Sequence, residues 1–311
     1  MDIKSFISSE IDIPESIVEN AVKNARRHIT TFTIDKKNGG KRKIHQPSVR
    51  IKTIQYWAIR SIFEKLPVHK SSYAFKEETS ILDNAIQHRE NRFFLKMDLK
   101  DFFPSITYED LRPIIKKWHK TTNPMWKFDK NAEKLIRLVC FYKNDRLPIG
   151  YPSSPIISNV VMYDFDVSVN KIISNKKYGN VQYTRYADDL VFSTNKEGAC
   201  FEIKKEIENH IKNWSSPKIE VNKNKTRLGS STSGNAQVTG LKIFTEGRIS
   251  INRKYKDKIR LLLSLYKKGV LNKEEYKVLQ GHLSYCHHVD PSFYTKLCKN
   301  YFLEISQIRK L

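Results

Sequence analysis

Two β-forming segments that place aspartates at their ends constrain the fold of this chain most strongly. Residues 92–99 read R-F-F-L-K-M-D-L, and residues 181–193 hold Asp188 and Asp189 between two runs of β-forming residues. The first pattern predicts a strand that ends at or just after Asp98, and the second predicts a hairpin with aspartates at its tip. If these strands are neighbours in one antiparallel sheet, three carboxylates meet at one edge. Burying such a cluster without a cation would be very costly.

The charge balance of the chain indicates a polyanionic partner. Lys and Arg number 56 against 33 Asp and Glu, so the formal net charge is +23 and the isoelectric point is about 9.7. A nucleic-acid backbone attracts such a charge, whereas a small-molecule enzyme has no need of it. An acidic membrane surface would also attract it, but the sequence shows neither an amphipathic anchor nor an uninterrupted apolar span. We therefore expect no membrane partner.

Size and cysteine usage indicate the class of protein and its compartment. A chain of 311 residues with 39% apolar content can bury a large core in one or two closely associated lobes. The N-terminus lacks the basic segment and apolar block of a secretory signal, so a cytoplasmic location is expected. The four cysteines are widely spaced without a Cys-x-x-Cys pair, which favours free, mostly buried thiols over disulfides or a zinc site.

Periodic patterns outside the aspartate segments predict the rest of the framework. Apolar residues at steps of three or four, followed by a proline, indicate helices, and an Asn38-Gly39 pair indicates a tight turn between two strands. The predicted segments are helices over residues 14–29, 51–66 and 201–214, strands over 32–35 and 41–45, and a hairpin of 237–243 with 249–251.

The last third of the chain differs in character. Residues 241–311 hold 15 Lys and Arg against 6 Asp and Glu in a mainly helical pattern. Capping signals predict three helices there, one over residues 255–268, one that begins after Asn272 and one that begins after Asp290. We expect a boundary near residue 240, which divides the chain into residues 1–240 and a basic helical lobe of residues 241–311.

Phosphoryl transfer by a polymerase would explain a trio of carboxylates. The reaction uses two Mg²⁺ ions, one that activates the primer hydroxyl and one that neutralises the departing pyrophosphate. Because Mg²⁺ keeps several waters, few protein carboxylates suffice to hold it. Asp98, Asp188 and Asp189 are therefore the candidate catalytic and metal-binding residues. Taken alone, an Asp-Asp pair more often marks a turn.

The residues around the aspartates decide between these interpretations. Residues 183–193 (YTRYADDLVFS) closely resemble the Y-x-D-D box of reverse transcriptases, and residues 97–103 (MDLKDFF) resemble the box that holds their first catalytic aspartate. Further blocks similar to that family occur in order at residues 41–47, 80–88, 147–159, 222–226 and 238–240. An N-A-x-x-H sequence from Asn84 to His88, together with V-T-G at residues 238–240, is similar to the signature pair of bacterial retron reverse transcriptases.

This resemblance implies an α+β fold, namely a right-hand polymerase with fingers and palm built on an antiparallel sheet with helices, and a helical thumb. It implies an RNA-directed DNA polymerase that copies part of a cognate structured noncoding RNA into branched, RNA-linked single-stranded DNA, called msDNA. Such an enzyme uses dNTPs and two Mg²⁺ ions and starts from the 2′-hydroxyl of a guanosine in the same RNA. The resemblance further implies a role in antiphage defence and a separately encoded effector protein as a partner.

The resemblance also assigns roles to individual residues. It implies metal binding by Asp98, Leu99, Asp188 and Asp189. It implies contact with the incoming dNTP by Arg42, Lys43, Asp101, Phe102, Phe103, Gly150 and Tyr186. It implies contact with RNA or DNA by Asn84, His88, Pro152, Ser154, Lys225, Arg253, Lys254, Tyr255 and Lys258.

The chemistry of these residue types suits the implied roles. Arg42 can hold two phosphate oxygens at once, and Lys43 supplies a point charge. The ring of Phe103 would crowd the sugar C2′ and exclude a ribose hydroxyl. Gly150 begins a loop rich in fixed turns, which lets backbone approach a ligand closely. The chain departs from the common family form at Ile149, where Gln usually stands, so nucleotide contacts there are expected from backbone or neighbours.

Three alternatives stay open on sequence grounds. A bacterial reverse transcriptase of the intron or diversity-generating type would be marked by a maturase segment or an accessory partner, and this sequence shows no such segment. A noncatalytic RNA-binding scaffold would have no reason to keep three clustered carboxylates. An RNA-dependent RNA polymerase would differ in sugar selectivity, so Phe103 is the residue that discriminates it.

Overall fold

The structure, a computed structural model, describes residues 1–35 and 39–309 and combines helices with antiparallel sheets. Its helices are α1 (Ile3–Ile11), α2 (Glu15–Lys23), α3 (Val49–Ser61), α4 (Ile81–Ile86), α5 (Phe102–Ser105), α6 (Tyr108–Thr122), α7 (Lys130–Cys140), α8 (Ser154–Val161), α9 (Tyr163–Ile173), α10 (Ala199–Asn213), α11 (Arg253–Lys267), α12 (Lys273–Val289), α13 (Pro291–Asn300) and α14 (Phe302–Arg309). Its strands are β1 (Ile29–Asp35), β2 (Lys41–Pro47), β3 (Phe93–Asp98), β4 (Val181–Tyr186), β5 (Asp189–Thr194), β6 (Arg227–Ser230), β7 (Gln237–Val238), β8 (Leu241–Ile243) and β9 (Ile249–Ile251).

The N-terminal hairpin forms as predicted, with longer strands. β1 and β2 pair antiparallel over their full lengths. Of the predicted Asn38-Gly39 turn, Asn38 lies outside the described residues. The prediction of one helix over residues 14–29 was wrong at its C-terminal end, because α2 ends at Lys23 and Ile29 already begins β1. The consecutive β-branched residues Ile29, Thr30 and Thr31 favour a strand over a continued helix.

A four-stranded palm sheet in the order β4-β5-β3-β6 carries the three aspartates. β3 and β5 pair antiparallel in a register that sets Asp98 directly opposite Asp189. β4 and β5 pair antiparallel and flank the residues between Tyr186 and Asp189. The predicted strand that ends at Asp98 and the predicted hairpin are therefore both confirmed.

Both faces of the palm sheet are covered by apolar side chains. Leu95 and Met97 of β3 join the main hydrophobic core with Leu190 of β5. Phe94 and Val191, which point the other way, join a second core that includes the C-terminal helices. This alternation follows from the two-residue period of a strand. Because a one-residue slip would exchange the two faces, the register of the sheet is strongly specified.

A fully buried ion pair lies beneath the tip of the hairpin. Arg185 of β4 donates hydrogen bonds from Nε and Nη2 to the carboxylate of Asp166 in α9, at 2.9 and 2.7 Å. Tyr183 donates its hydroxyl to the same carboxylate at 2.7 Å, and Arg185 Nη1 lies 3.5 Å from the carbonyl oxygen of Ala187. Buried charges are tolerated only when they are paired and hydrogen-bonded, as these are. The pair ties β4 and the turn that follows it to α9.

The C-terminal part consists of the three-stranded sheet β7-β8-β9 and the helices α11 to α14. The predicted helix starts after Asn272 and Asp290 are confirmed, whereas the helix predicted over residues 255–268 spans Arg253–Lys267. Asn272 and Glu275 form the expected capping box, and Asp290 accepts a hydrogen bond from the backbone N–H of Phe293. The helix α14 was not expected from the sequence.

The predicted continuous strand over residues 237–243 is divided by a turn. Thr239 and Gly240 have φ values of 45° and 86°, in the left-handed region that β-strands do not use. The turn lets β7 and β8 pair with each other. The second hydrophobic core starts at Ala236 along this segment and also includes Phe94 of the palm, so the C-terminal part packs directly on the palm sheet. We keep the division near residue 240 as a proposal.

Other sequence expectations concern cysteines and membrane contact. Cys140, Cys200 and Cys286 are buried, as expected, and Cys298 is partly buried. Burial raises the pKa of each of the three buried thiols to about 12, which keeps them protonated. In the described part of the chain, no helix combines the length and the apolar character that crossing a bilayer would require.

Candidate active site

The antiparallel register brings the three aspartates to one end of the palm sheet. Asp98 ends β3, and Asp189 begins β5 opposite it. Asp188 lies in the turn between β4 and β5, and its carbonyl oxygen accepts a hydrogen bond from the backbone N–H of Leu99 at 2.9 Å. Ala187 adopts a φ of 55°, which makes the turn tight, and both acidic residues at its tip are partly buried. Long-range strand pairing therefore assembles the trio predicted from two distant segments.

Basic side chains neutralise two of the three carboxylates. Lys225 Nζ lies 2.9 Å from Asp98 Oδ2, and Asn222 Nδ2 donates to Asp98 Oδ1 at 3.1 Å. Lys96 Nζ lies 2.7 Å from Asp189 Oδ2. The hydrogen bond to Asp98 raises the pKa of Lys225, which keeps its ammonium group charged. These contacts show that positive charges already bind at this end of the palm sheet.

Among the residues that the structure describes, no cation lies as close to Asp188. Burial raises the pKa of its carboxyl group, and the nearby charges of Asp189 and Asp98 raise it further. Its ionised form is thus destabilised by its surroundings in the absence of a cation. A divalent ion near the three carboxylates would remove this repulsion.

The donor atoms suit Mg²⁺, although the side chains do not form a closed cage. No cluster of three or more His, Cys, Asp or Glu side chains among residues 1–35 and 39–309 has the geometry of a metal centre. Mg²⁺ prefers oxygen ligands and usually binds through one or two carboxylates, waters and substrate phosphates. Asp98, Asp188 and Asp189 could therefore hold Mg²⁺ together with a bound nucleotide.

An open cavity of about 800 Å³ lies above the aspartates. Its size suits a nucleotide and the end of a primer. It brings together side chains from β2, from the segment after β3 and from the β4–β5 hairpin. The predicted site residues that line it are Arg42, Lys43, Asp98, Leu99, Asp101, Phe102, Phe103, Tyr186, Asp188, Asp189 and Lys225.

Comparison with known proteins decides the family. Residues 34–277 match the family described as reverse transcriptase (RNA-dependent DNA polymerase). The chain is 40% identical over 289 residues to the retron Ec73 reverse transcriptase of Escherichia coli, which covers 90% of this chain and 89% of the relative. It is 31% identical over 281 residues to the retron Ec83 reverse transcriptase of Escherichia coli, with 88% and 87% covered.

The chain belongs to the bacterial retron reverse transcriptases. It is accordingly an RNA-directed DNA polymerase. The family match favours this class over an RNA polymerase or a noncatalytic scaffold.

Solved structures agree with the fold of this reverse transcriptase. The telomerase of Candida albicans in complex with a fragment of telomeric RNA matches with a TM-score of 0.51 at 12% identity, over 94% of this chain and 62% of that chain. The apo telomerase of Candida tropicalis, truncated from its C-terminal domain, matches with a TM-score of 0.50 at 14% identity, over 77% and 61%. The chain thus spans about three-fifths of these telomerases. The likeness confirms the right-hand polymerase fold.

The retron reverse transcriptase has an aromatic wall that sequence reasoning identified only in part. The ring of Phe103 lies 6.1 Å from the ring of Phe75, which in turn lies 6.4 Å from the ring of Tyr186. Phe75 lines the cavity and is 46% exposed, with a φ of 57°. An exposed ring in a strained backbone conformation is typical of a functional position. A single phenylalanine in a loop gives no periodic signal, so the sequence did not indicate it.

Basic residues outside the predicted set also line the cavity. Lys143 and Arg146 follow α7, and Lys41 precedes the predicted pair Arg42 and Lys43 on β2. These cations stand near the acidic end of the sheet and would attract the phosphates of a nucleotide. The local charge of residues 143–146 was visible in the sequence, but only the fold shows that they reach this cavity.

Gly150 occupies a position that only glycine tolerates. Its φ is 105°, and a Cβ atom there would lie 2.7 Å from the carbonyl oxygen of His45. The backbone N–H of His45 also donates to the carbonyl oxygen of Ile149 at 2.8 Å. The glycine therefore joins the loop to the β1–β2 hairpin, here called the fingers hairpin, and its predicted contact with dNTP stays a prediction.

Three predicted nucleic-acid contacts need correction. Asn84 and His88 are fully buried and Ser154 is 1% exposed, so none of these side chains can touch RNA in this conformation. Ser154 donates its hydroxyl to the carbonyl oxygen of Pro148 at 2.6 Å and closes the loop. Asn84 and His88 do not share one helix face as expected, because α4 ends at Ile86.

The other predicted nucleic-acid contacts are accessible. Arg253, Lys254 and Lys258 are exposed on α11, and Pro152 is partly exposed. Tyr255 is partly buried, and its hydroxyl lies 2.6 Å from His282 Nδ1. The roles of all five residues in binding RNA or DNA stay predictions.

We expect Asp188→Asn to raise the melting temperature of the metal-free protein at pH 7. Because the pKa of Asp188 is raised in the folded state, its ionised carboxylate costs folding free energy at neutral pH. The cost vanishes as the pH falls through the raised pKa and below 3.8, so the difference between variant and wild type should shrink on acidification.

Thermal unfolding in the presence of EDTA, from pH 7 down to pH 4, measures this difference. Asp164→Asn, at an exposed position in the first turn of α9, serves as the matched control and should not raise the melting temperature, because an acidic side chain is favourable there. A lower melting temperature for Asp188→Asn at pH 7 would contradict the account of carboxylate repulsion.

Proposed function

We propose that this enzyme copies part of a cognate structured noncoding RNA into msDNA, starting from the 2′-hydroxyl of a guanosine in that RNA. The observation that carries the proposal is the position of Asp98, Asp188 and Asp189 at one end of a cavity with a basic fingers wall. Similarity to the retron reverse transcriptases of Escherichia coli supports the choice of a retron RNA as template.

Two Mg²⁺ ions are the cofactors we propose. Bound there, they would activate the primer hydroxyl and neutralise the departing pyrophosphate. Asp98, Asp188 and Asp189 would supply the carboxylate oxygens, beside Leu99. Lys225 already neutralises Asp98 and lies close enough to the cavity to contact nucleic acid as well.

The other residues of the cavity would bind and orient the dNTP. Arg42 and Lys43 on β2 would bind its phosphates, which Arg can hold in a bidentate manner. Phe103 and Tyr186 would contact its sugar, and Asp101 and Phe102 shape the same wall. Exclusion of a ribose hydroxyl by the ring of Phe103 would make the product DNA.

The basic residues of α11 would hold the RNA outside the cavity. Arg253 has a side chain that is 94% exposed, and Lys254 and Lys258 are exposed nearby. Their charges suit the phosphates of structured RNA, while Tyr255 could stack on an exposed base. We propose that msDNA synthesis takes place in the cytoplasm, and that the product acts in antiphage defence with a separately encoded effector protein.

We expect Asp188→Asn to lower RNA-templated DNA synthesis by about 10³-fold or more, because it removes a metal ligand from a reaction that depends on electrostatic stabilisation. Binding of the RNA should stay within about twofold, since the basic residues of α11 are unchanged. Primer extension and a filter-binding assay measure the two quantities. The exposed control Asp164→Asn should retain both, and full activity of Asp188→Asn would remove the aspartate from the site.

We expect Phe103→Ala to increase incorporation of ribonucleotides relative to deoxyribonucleotides by about tenfold or more, because a pocket that loses a bulky side chain discriminates less by shape. Ratios of kcat/KM for dTTP and UTP on a poly(rA) template measure the selectivity. Phe75→Ala, which alters the same aromatic wall, tests whether the effect is specific to Phe103. An unchanged ratio in Phe103→Ala would rule out the proposed steric role.

We expect a branched RNA–DNA molecule to copurify with the enzyme from cells that express its native locus. Debranching should release a DNA strand and leave an RNA whose guanosine carried the 2′ linkage. Sequencing of both parts would identify the RNA template. Recovery of linear RNA alone from cells with active enzyme would contradict the retron mode of priming, and Asp188→Asn provides the DNA-free control.

A further inference from the structure

Helix α4 lies between the catalytic sheet and the small sheet from which the thumb helices extend. It contacts β7, β8 and β9, and its residue Ala85 is buried in the same core as Phe94 and Val191 of the palm. A capping box formed by Ser80 and Asp83 fixes its start. The helix is thus a rigid element that touches both parts of the enzyme.

His88, just after this helix, joins the two strands of the catalytic hairpin. Its Nε2 lies 2.7 Å from the hydroxyl of Thr184 on β4, and its Nδ1 lies 2.7 Å from the hydroxyl of Ser193 on β5. All three side chains are buried. Thr184 lies two residues before Tyr186, and Ser193 lies four residues after Asp189, so the imidazole spans the hairpin behind its acidic tip.

The protons of this cluster can be assigned from its partners. Burial lowers the pKa of His88 to about 3, so the ring is neutral and has one donor and one acceptor nitrogen. Asn91 donates from Nδ2 to Ser193 Oγ at 2.9 Å. The hydroxyl of Ser193 can then donate to Nδ1, and Nε2–H donates to Thr184. Both imidazole nitrogens and the hydroxyls of Ser193 and Thr184 thus obtain a partner without a charge.

The other end of α4 is linked to the thumb. The hydroxyl of Thr239 donates to the carbonyl oxygen of Ile81 at 3.1 Å. Thr239 lies in the turn between β7 and β8, and β9 leads directly into α11. The carboxylate of Asp290 accepts hydrogen bonds from Ser250 at 2.7 Å and from the backbone N–H of Ile251 at 3.2 Å, which ties α13 to β9.

We propose that His88 is a positioning residue for DNA synthesis, which holds the Asp188-Asp189 hairpin in a fixed place relative to the thumb through α4. This inference rests on the proposed catalytic role of the aspartates and deepens it. The backbone ladder fixes β4 and β5 relative to each other, but apolar packing alone would not fix the position of the hairpin relative to α4. Two directed hydrogen bonds from one rigid ring do so.

The test is a set of His88 variants in the full chain, assayed on poly(rA) with an oligo(dT) primer and dTTP. His88→Leu should lower kcat by about tenfold to a hundredfold, because small displacements of reacting groups have effects of that size. The KM for dTTP should stay within about twofold, since no dNTP contact is touched. His88→Asn and His88→Gln, which each keep one polar end near Ser193 or Thr184, should restore part of kcat.

A matched control separates positioning from stability. Gln55 is buried and donates from Nε2 to the carbonyl oxygen of Val139 at 2.6 Å, far from the hairpin in sequence and outside the cavity lining. Gln55→Leu also removes a buried polar contact, and it should lower the melting temperature while leaving kcat unchanged. If His88→Leu does not fold, Thr184→Val tests the same bond with the loss of a single hydroxyl and should show the same selective fall in kcat.

The outcomes distinguish this inference from the function on which it rests. Unchanged kcat in His88→Leu or, if that variant does not fold, in Thr184→Val overturns the positioning role, as does a rise in the KM for dTTP without a fall in kcat. A double variant of His88→Leu with Thr184→Val should be no slower than His88→Leu alone, because the contact that Thr184→Val removes is already lost in His88→Leu. If Asp188→Asn stays active in the same assay, the assignment of the aspartates fails. If Asp188→Asn is inactive while His88→Leu is fully active, only the positioning role fails.

Discussion

Repulsion among three carboxylates at one end of the palm sheet is the constraint around which this reverse transcriptase is arranged. The register of β3 and β5 leaves no choice, because it sets Asp98 opposite Asp189 with Asp188 in the adjoining turn. Lys96 and Lys225 offset part of the repulsion. Burial and the remaining repulsion raise the pKa of Asp188, which makes the site attractive to a divalent cation.

A hairpin that bears like charges must be held from behind, and buried polar contacts do this on both of its faces. On one face, Arg185 is paired with Asp166 and lies within 3.5 Å of the carbonyl oxygen of Ala187 in the turn. On the other face, His88 contacts both strands. Buried ion pairs of this kind contribute little net stability compared with apolar packing, but loss of one partner costs about 3–5 kcal/mol. The Arg185–Asp166 pair therefore specifies the position of the hairpin more than it stabilises the fold.

The sequence predicted those parts of the site that depend on local pattern. β3, the hairpin and the helix starts at Asn272 and Asp290 follow from strand periodicity and capping chemistry within a few residues. The contribution of Phe75 to the cavity wall and the burial of His88 depend on contacts between distant segments, which no local pattern encodes. The prediction of a carboxylate cluster assumed that β3 and the hairpin are neighbours in one sheet. Only the fold shows that pairing and its register, which places Asp98 opposite Asp189.

The central claim is that Asp98, Asp188 and Asp189 bind the catalytic cations. The most direct measurement is to locate those cations in the enzyme. Crystals of the enzyme with an RNA template, a DNA primer and a nonhydrolysable dNTP can be grown in Mn²⁺, whose anomalous scattering marks its position. The account predicts anomalous peaks within about 2.0–2.6 Å of the carboxylate oxygens of Asp98 and Asp188 and of the nucleotide phosphates. Peaks elsewhere in the cavity, with Asp98 still bound to Lys225, would contradict it.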